Sequence, residues 1–76
     1  GVVEALLAAG ADVDQATKDG ITPLSMASRM NLLDTVKLLL DNGADVNKAD
    51  KDGWTALIVA AQNGYTVVVR GLLKIY

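Results

Sequence analysis

Leu33, Val36, Leu39 and Leu40 fall at intervals that place them on one side of a helix, and their spacing predicts a helix from about Leu32 to Asp41. Gly43 follows the last apolar turn, where a helix end favours a left-handed residue. Upstream, Thr22-Pro23 predicts a helix start: a threonine hydroxyl accepts an orphan backbone N–H, and proline at the first helical position forfeits no bond. That shorter helix is expected over Pro23–Arg29. Between Ala44 and Gly53 the pattern turns polar, with Asp, Asn, Lys and Gly around Val46, the one residue there that reads as buried. This composition predicts an extended loop with a tight turn at Asp52-Gly53.

The same succession occurs again along the chain. Gly10-Ala11-Asp12-Val13 returns as Gly43-Ala44-Asp45-Val46, a shift of 33 residues that also carries Lys18-Asp19-Gly20 onto Lys51-Asp52-Gly53 and Thr22 onto Thr55. Val3, Val36 and Val69 stay in phase, as do Leu6, Leu39 and Leu72. The second helix of the unit is therefore present three times and the first half only twice. A unit of helix, turn, helix and loop cannot close a core alone, so successive units must stack.

Asp-Gly-x-Thr-Pro-Leu, then Ala, then Val-x-x-Leu-Leu-x-x-Gly-Ala-Asp-Val, strongly resembles the ankyrin repeat, and the resemblance covers essentially the whole chain. It implies an all-α solenoid of stacked helix-turn-helix units with β-hairpin-like loops. One domain, residues 1–76, is expected, divided into a partial repeat (1–16), a complete repeat (17–49) and a truncated terminal repeat (50–76). The departures are informative. Ser25 and Ile58 stand where such repeats usually carry histidine, Ala56 replaces the proline found at Pro23, and Asn31 holds the inter-helix position that Gly64 fills in the next unit. Asparagine is among the few side chains that accept a left-handed backbone. Gly71 inside a helix is expected to cost about 1 kcal/mol relative to alanine, so the last repeat should fray first.

Composition narrows the function. The 76 residues carry seven basic and nine acidic side chains, a formal charge of −2 with no run of one sign, which argues against nucleic acid or an anionic membrane as partner. Cysteine is absent, so no disulfide framework and no thiol nucleophile exists, and an intracellular compartment is the default, cytoplasm first and nucleus second. No apolar run is long enough to span a bilayer and no charged-then-apolar leader opens the chain. Gly1 in place of Met is expected of a processed or excerpted chain. Without histidine or cysteine the commonest general base and thiolate are missing, so no enzymatic activity and no catalytic residues are expected. No cofactor is called for. Asp12, Asp14, Asp19, Asp45, Asp50 and Asp52 are read as turn-makers in preference to a metal site.

Positions that differ between the repeats point to recognition, because shared positions are fixed by architecture. They include Ile21/Trp54, Arg29/Gln62 and Met30/Asn63. The resemblance implies a concave surface formed by turn tips and first helices, and these positions match it. Ile21, Met30 and Trp54 are expected to form an apolar strip rimmed by Lys18, Asp19, Arg29, Lys51, Asp52, Gln62 and Asn63, with Trp54 as anchor for another protein. Leu39 followed by Asp45-Val46-Asn47 also resembles the ankyrin context in which asparaginyl hydroxylases act, although a loop-holding role for the Asn47 side chain is the favoured reading. Finally, Gly1, Val2, Val3 and Leu6 at one end, and Leu72, Leu73, Ile75 and Tyr76 at the other, are expected to expose apolar surface. Self-association or stacking on a longer array is the alternative function that follows.

Overall fold

The computed structural model describes residues 9–73. Four helices are present among them: α1 (Pro23–Arg29), α2 (Leu33–Asp41), α3 (Ala56–Gln62) and α4 (Thr66–Leu73). Helix α1 has the expected bounds. Its N-cap is Thr22, whose Oγ1 accepts from the Ser25 N–H at 3.2 Å, and Thr55 caps α3 in the same way through Ile58 N–H at 3.3 Å. Helix α2 begins one residue later than the apolar spacing predicted, because Leu32 takes the N-cap position with a non-helical backbone and has no side-chain oxygen to cap with.

The connection between paired helices is the same in both units. Leu32 N–H donates to Ala27 O and Asn31 N–H to Ser28 O, while Tyr65 N–H donates to Ala60 O and Gly64 N–H to Ala61 O. This double bond pattern closes a helix end only if the penultimate residue is left-handed, and Asn31 (φ 59°) and Gly64 (φ 70°) both comply. Asparagine thus does the work of glycine between α1 and α2.

Within a unit α1 packs on α2 and α3 on α4; between units α1 packs on α3 and α2 on α4. Leu24, Ala27, Val36, Leu39, Ala44, Ala56, Ala60, Val68 and Leu72 form one buried cluster across these four contacts. Leu72, expected at an exposed end, is instead wholly buried. It occupies the register of Leu39 and so points inward with the core stripe, leaving Leu73 at the surface. Gly71, expected only as a cost, lies where a Cβ would meet Leu33 Cδ1 at 3.1 Å, so its missing side chain lets α4 approach α2. The apolar positions expected to be bare at Gly1, Val2, Val3, Leu6, Ile75 and Tyr76 lie outside the described residues. No described helix is long and apolar enough to cross a membrane.

A candidate protein-binding groove

Two tight turns form one rim. In the first, Gly20 N–H donates to Thr17 O and Thr17 N–H to Ile21 O, and the Thr17 hydroxyl accepts from Ile21 N–H at 3.2 Å. In the second, Gly53 N–H donates to Asp50 O and Asp50 N–H to Trp54 O, while Asp50 Oδ1 accepts from both Asp52 N–H (2.8 Å) and Trp54 N–H (3.0 Å). A carboxylate therefore does in the second turn what a hydroxyl does in the first. Both are hairpin-like in their bonding, though no strand is assigned among the described residues.

The turns are locked to each other. Lys51 N–H donates to Asp19 O at 2.9 Å, and Lys51 Nζ lies 3.0 Å from Asp19 Oδ1. Both side chains are more than half exposed, so the ion pair contributes at most about 1 kcal/mol and the backbone bond sets the register. Asp14 Oδ1 adds a second link between units by accepting from Asp45 N–H at 3.0 Å.

Behind the turns, the ends of α1 and α3 supply the opposite wall of a groove of about 390 Å³. It gathers Asp19, Ile21, Arg29, Lys51, Asp52, Trp54, Gln62 and Asn63, eight of the positions selected from the sequence. Asp50 and Val59 also line it, beyond the residues expected from the sequence; each differs from its counterpart, Thr17 and Met26, so repeat variability marks them as well. Lys18 stands exposed on the turn without lining the groove. Met30 does not join Ile21 and Trp54. It lines a separate apolar depression with Pro23, Met26, Ala27, Leu32, Thr35 and Leu39, because the groove lies between the two units: the equivalent residue, Asn63, reaches the groove from the side of α3 turned towards α1, and the same side of α1 is turned away from α3. The expected apolar strip is divided.

Trp54 is partly buried, and its backbone is fixed by the Asp50 carboxylate. Asn63 Nδ2 donates to Val59 O at 2.9 Å, which holds that side chain against the end of α3. The lining carries three carboxylates and two cations, one cation being committed to Asp19. Such a surface offers an apolar anchor point between charges of both signs.

The remaining loop carboxylates make turns. Asp12 Oδ1 accepts from Asp14 N–H and Asp45 Oδ1 from Asn47 N–H, each at 2.9 Å. The latter bond corrects the role expected for Asn47: its backbone, not its side chain, is what the loop uses, and the side chain makes no hydrogen bond among the described residues. No group of acidic residues that could hold a metal ion is found among the described residues.

Helix pairs repeated along the chain, one unit stacked on the next and both offering their turns to one side, define a repeat solenoid. The sequence model for ankyrin repeats, which describes three copies, matches residues 1–76, and the chain belongs to the ankyrin-repeat family. Ankyrin repeats generally serve as modules for binding other proteins, and are generally scaffolds without enzymatic activity. A comparison with curated proteins found no match.

Proposed function

We propose that the chain is a non-enzymatic scaffold whose groove receives a segment of another protein. Trp54 and Ile21 supply apolar anchoring, and Arg29, Lys51 and Asp52 select among partners by charge. The observation that carries this reading is the convergence of repeat-variable residues from two turns and two helices on one concavity. A large rigid aromatic at the centre of a polar rim is the arrangement in which single residues dominate binding. The reading includes a three-part repeat division at residues 1–16, 17–49 and 50–76 and an intracellular site of action, supported by the repeat phase and the absence of cysteine.

Affinity capture followed by calorimetry on the captured protein tests it. Trp54→Ala should weaken binding by roughly 30-fold, the loss of a central anchor, while circular dichroism stays unchanged. An unaltered Kd with preserved helicity rejects the groove as the site. Asn47, exposed and without a side-chain hydrogen bond among the described residues, remains a candidate for hydroxylation; an unchanged mass after co-expression with an asparaginyl hydroxylase removes it.

A second reading has its own observation. Met26, Met30 and Leu32 are exposed around the apolar depression on α1, and Ile58 and Leu73 are exposed at the other end of the stack. These faces favour assembly, by stacking on further repeats or on another copy. Sedimentation velocity separates the two: a monomer at all concentrations that still binds its partner through Trp54 rejects assembly as the main role.

A further inference from the structure

Two Asn-Gly sequences, Asn42-Gly43 and Asn63-Gly64, stand at the C-terminal ends of α2 and α3. In such a pair the glycine nitrogen meets least hindrance in reaching the asparagine side chain, because glycine carries no Cβ. The nitrogen attacks Cγ: an N–Cγ bond forms, the Cγ–Nδ2 bond breaks, and ammonia leaves with the proton from the glycine N–H. Water then opens the five-membered imide at either carbonyl. The products are aspartate or isoaspartate, each with one additional negative charge.

The fold opposes this reaction at both places by the same means. Asn63 Nδ2 is held by Val59 O at 2.9 Å and Gly64 N–H by Ala61 O at 3.1 Å; Asn42 Nδ2 is held by Leu38 O at 2.8 Å and Gly43 N–H by Leu40 O at 3.0 Å. The electrophile and the nucleophile are thus both tied back onto the helix. Ring closure further requires Cβ to eclipse the glycine nitrogen about the Cα–C bond. With ψ at −1° in Asn63 and 15° in Asn42, the residue's own nitrogen takes that place, and Cβ stands a third of a turn away.

Of the two, only Asn63 lines the groove. We propose that Asn63-Gly64 is a modification site of the groove itself: a deamidation site closed in the folded chain, opened by local release of the α3 end, and changing the charge of the surface it serves. The product adds a fourth carboxylate to a lining that holds three. It also cannot donate to Val59 O, and it places negative charge at the negative end of α3. Each conversion therefore weakens the cap that held it closed, while Asn42-Gly43 supplies an internal comparison away from the groove.

The experiment incubates the intact chain at mildly alkaline pH, folded or unfolded in guanidinium, and follows mass and charge with time. Trypsin separates the two sites, into Leu38–Lys48 and Asp52–Arg70. Conversion of Asn63 should run roughly tenfold or more slowly in the folded chain than in the unfolded one, as expected of a reaction that waits for local opening. An acidic species should accumulate in step on ion exchange. Equal rates in both states, or no conversion in the unfolded chain, overturns the proposal. Low guanidinium should leave the folded-state rate unchanged; a rate that climbs with global unfolding rejects local release.

Discussion

Ser25 and Ile58 occupy the same place in successive repeats, yet Ser25 is 2% exposed and Ile58 45%; Met26 is 39% exposed and its counterpart Val59 only 4%. Within each unit the helix pair covers itself in the same way, so the difference comes from the neighbour. The side of α1 bearing Ser25 and Ser28 faces α3, whereas the equivalent side of α3, bearing Ile58 and Ala61, has no described helix against it. The side of α3 bearing Ala56, Val59 and Ala60 is covered by α1, whereas Pro23, Met26 and Met30 line an open depression. Burial in a stacked array belongs to the position in the stack before it belongs to the residue. Here it runs against hydrophobicity: two serines are inside while two methionines and an isoleucine are out.

Paired substitutions at equivalent positions sharpen this comparison. Leu24, wholly buried, and Leu57, partly buried, are the same residue in the same register. Leu24→Ala should destabilise the fold by about 3 kcal/mol through lost transfer energy and a residual cavity, and Leu57→Ala by less than half as much in denaturant titration. Equal losses would break the claim that the stack, not the repeat, sets the energetics. Next comes the pair of turn glycines. Gly20 (φ 81°) would bring a Cβ to 3.1 Å from Asp50 Cα, whereas a Cβ on Gly53 (φ 86°) meets no atom of the described residues within 4 Å. Both alanine variants incur the left-handed strain of about 1–2 kcal/mol, but only Gly20→Ala must also push the neighbouring turn away. It should be the more destabilising and should weaken groove binding as well. The smallest effect is expected at Ser25. Its buried Oγ has no hydrogen-bond partner among the described residues, so Ser25→Ala should be neutral or stabilising by up to about 1 kcal/mol. A clear loss of stability would show that the hydroxyl is satisfied in solution. Ser28, whose Oγ donates to Leu24 O at 2.7 Å, provides the contrast.

The elements were legible where local chemistry decides them. Thr22-Pro23 marked the start of α1, the apolar stripe of α2 marked its length to within one residue, and Asn31 could be assigned its backbone from its alignment with Gly64. The groove was largely legible because repeat-variable positions on turns and first helices do converge. What escaped was direction. Met30 follows Arg29 in sequence but faces another side of α1, and Leu72 lies beside Leu73 but inside the core. Asp50 was legible as a turn-maker, and its Oδ1 does accept two backbone N–H groups; what escaped was that the turn it closes also brings it into the groove lining.

By itself, the sequence determined the repeat, its helices, their caps and the residues free to vary, since each of these rests on contacts within a few positions or on a simple translation by one unit. Tertiary structure alone decided which faces are covered, why Gly71 is tolerated against Leu33, and how Lys51 and Asp19 tie two turns into one rim. Those outcomes depend on the packing of one unit against the next. A repeat pattern specifies that such packing occurs, but the identity of the side chains at each interface settles how closely the surfaces meet and which polar groups find partners.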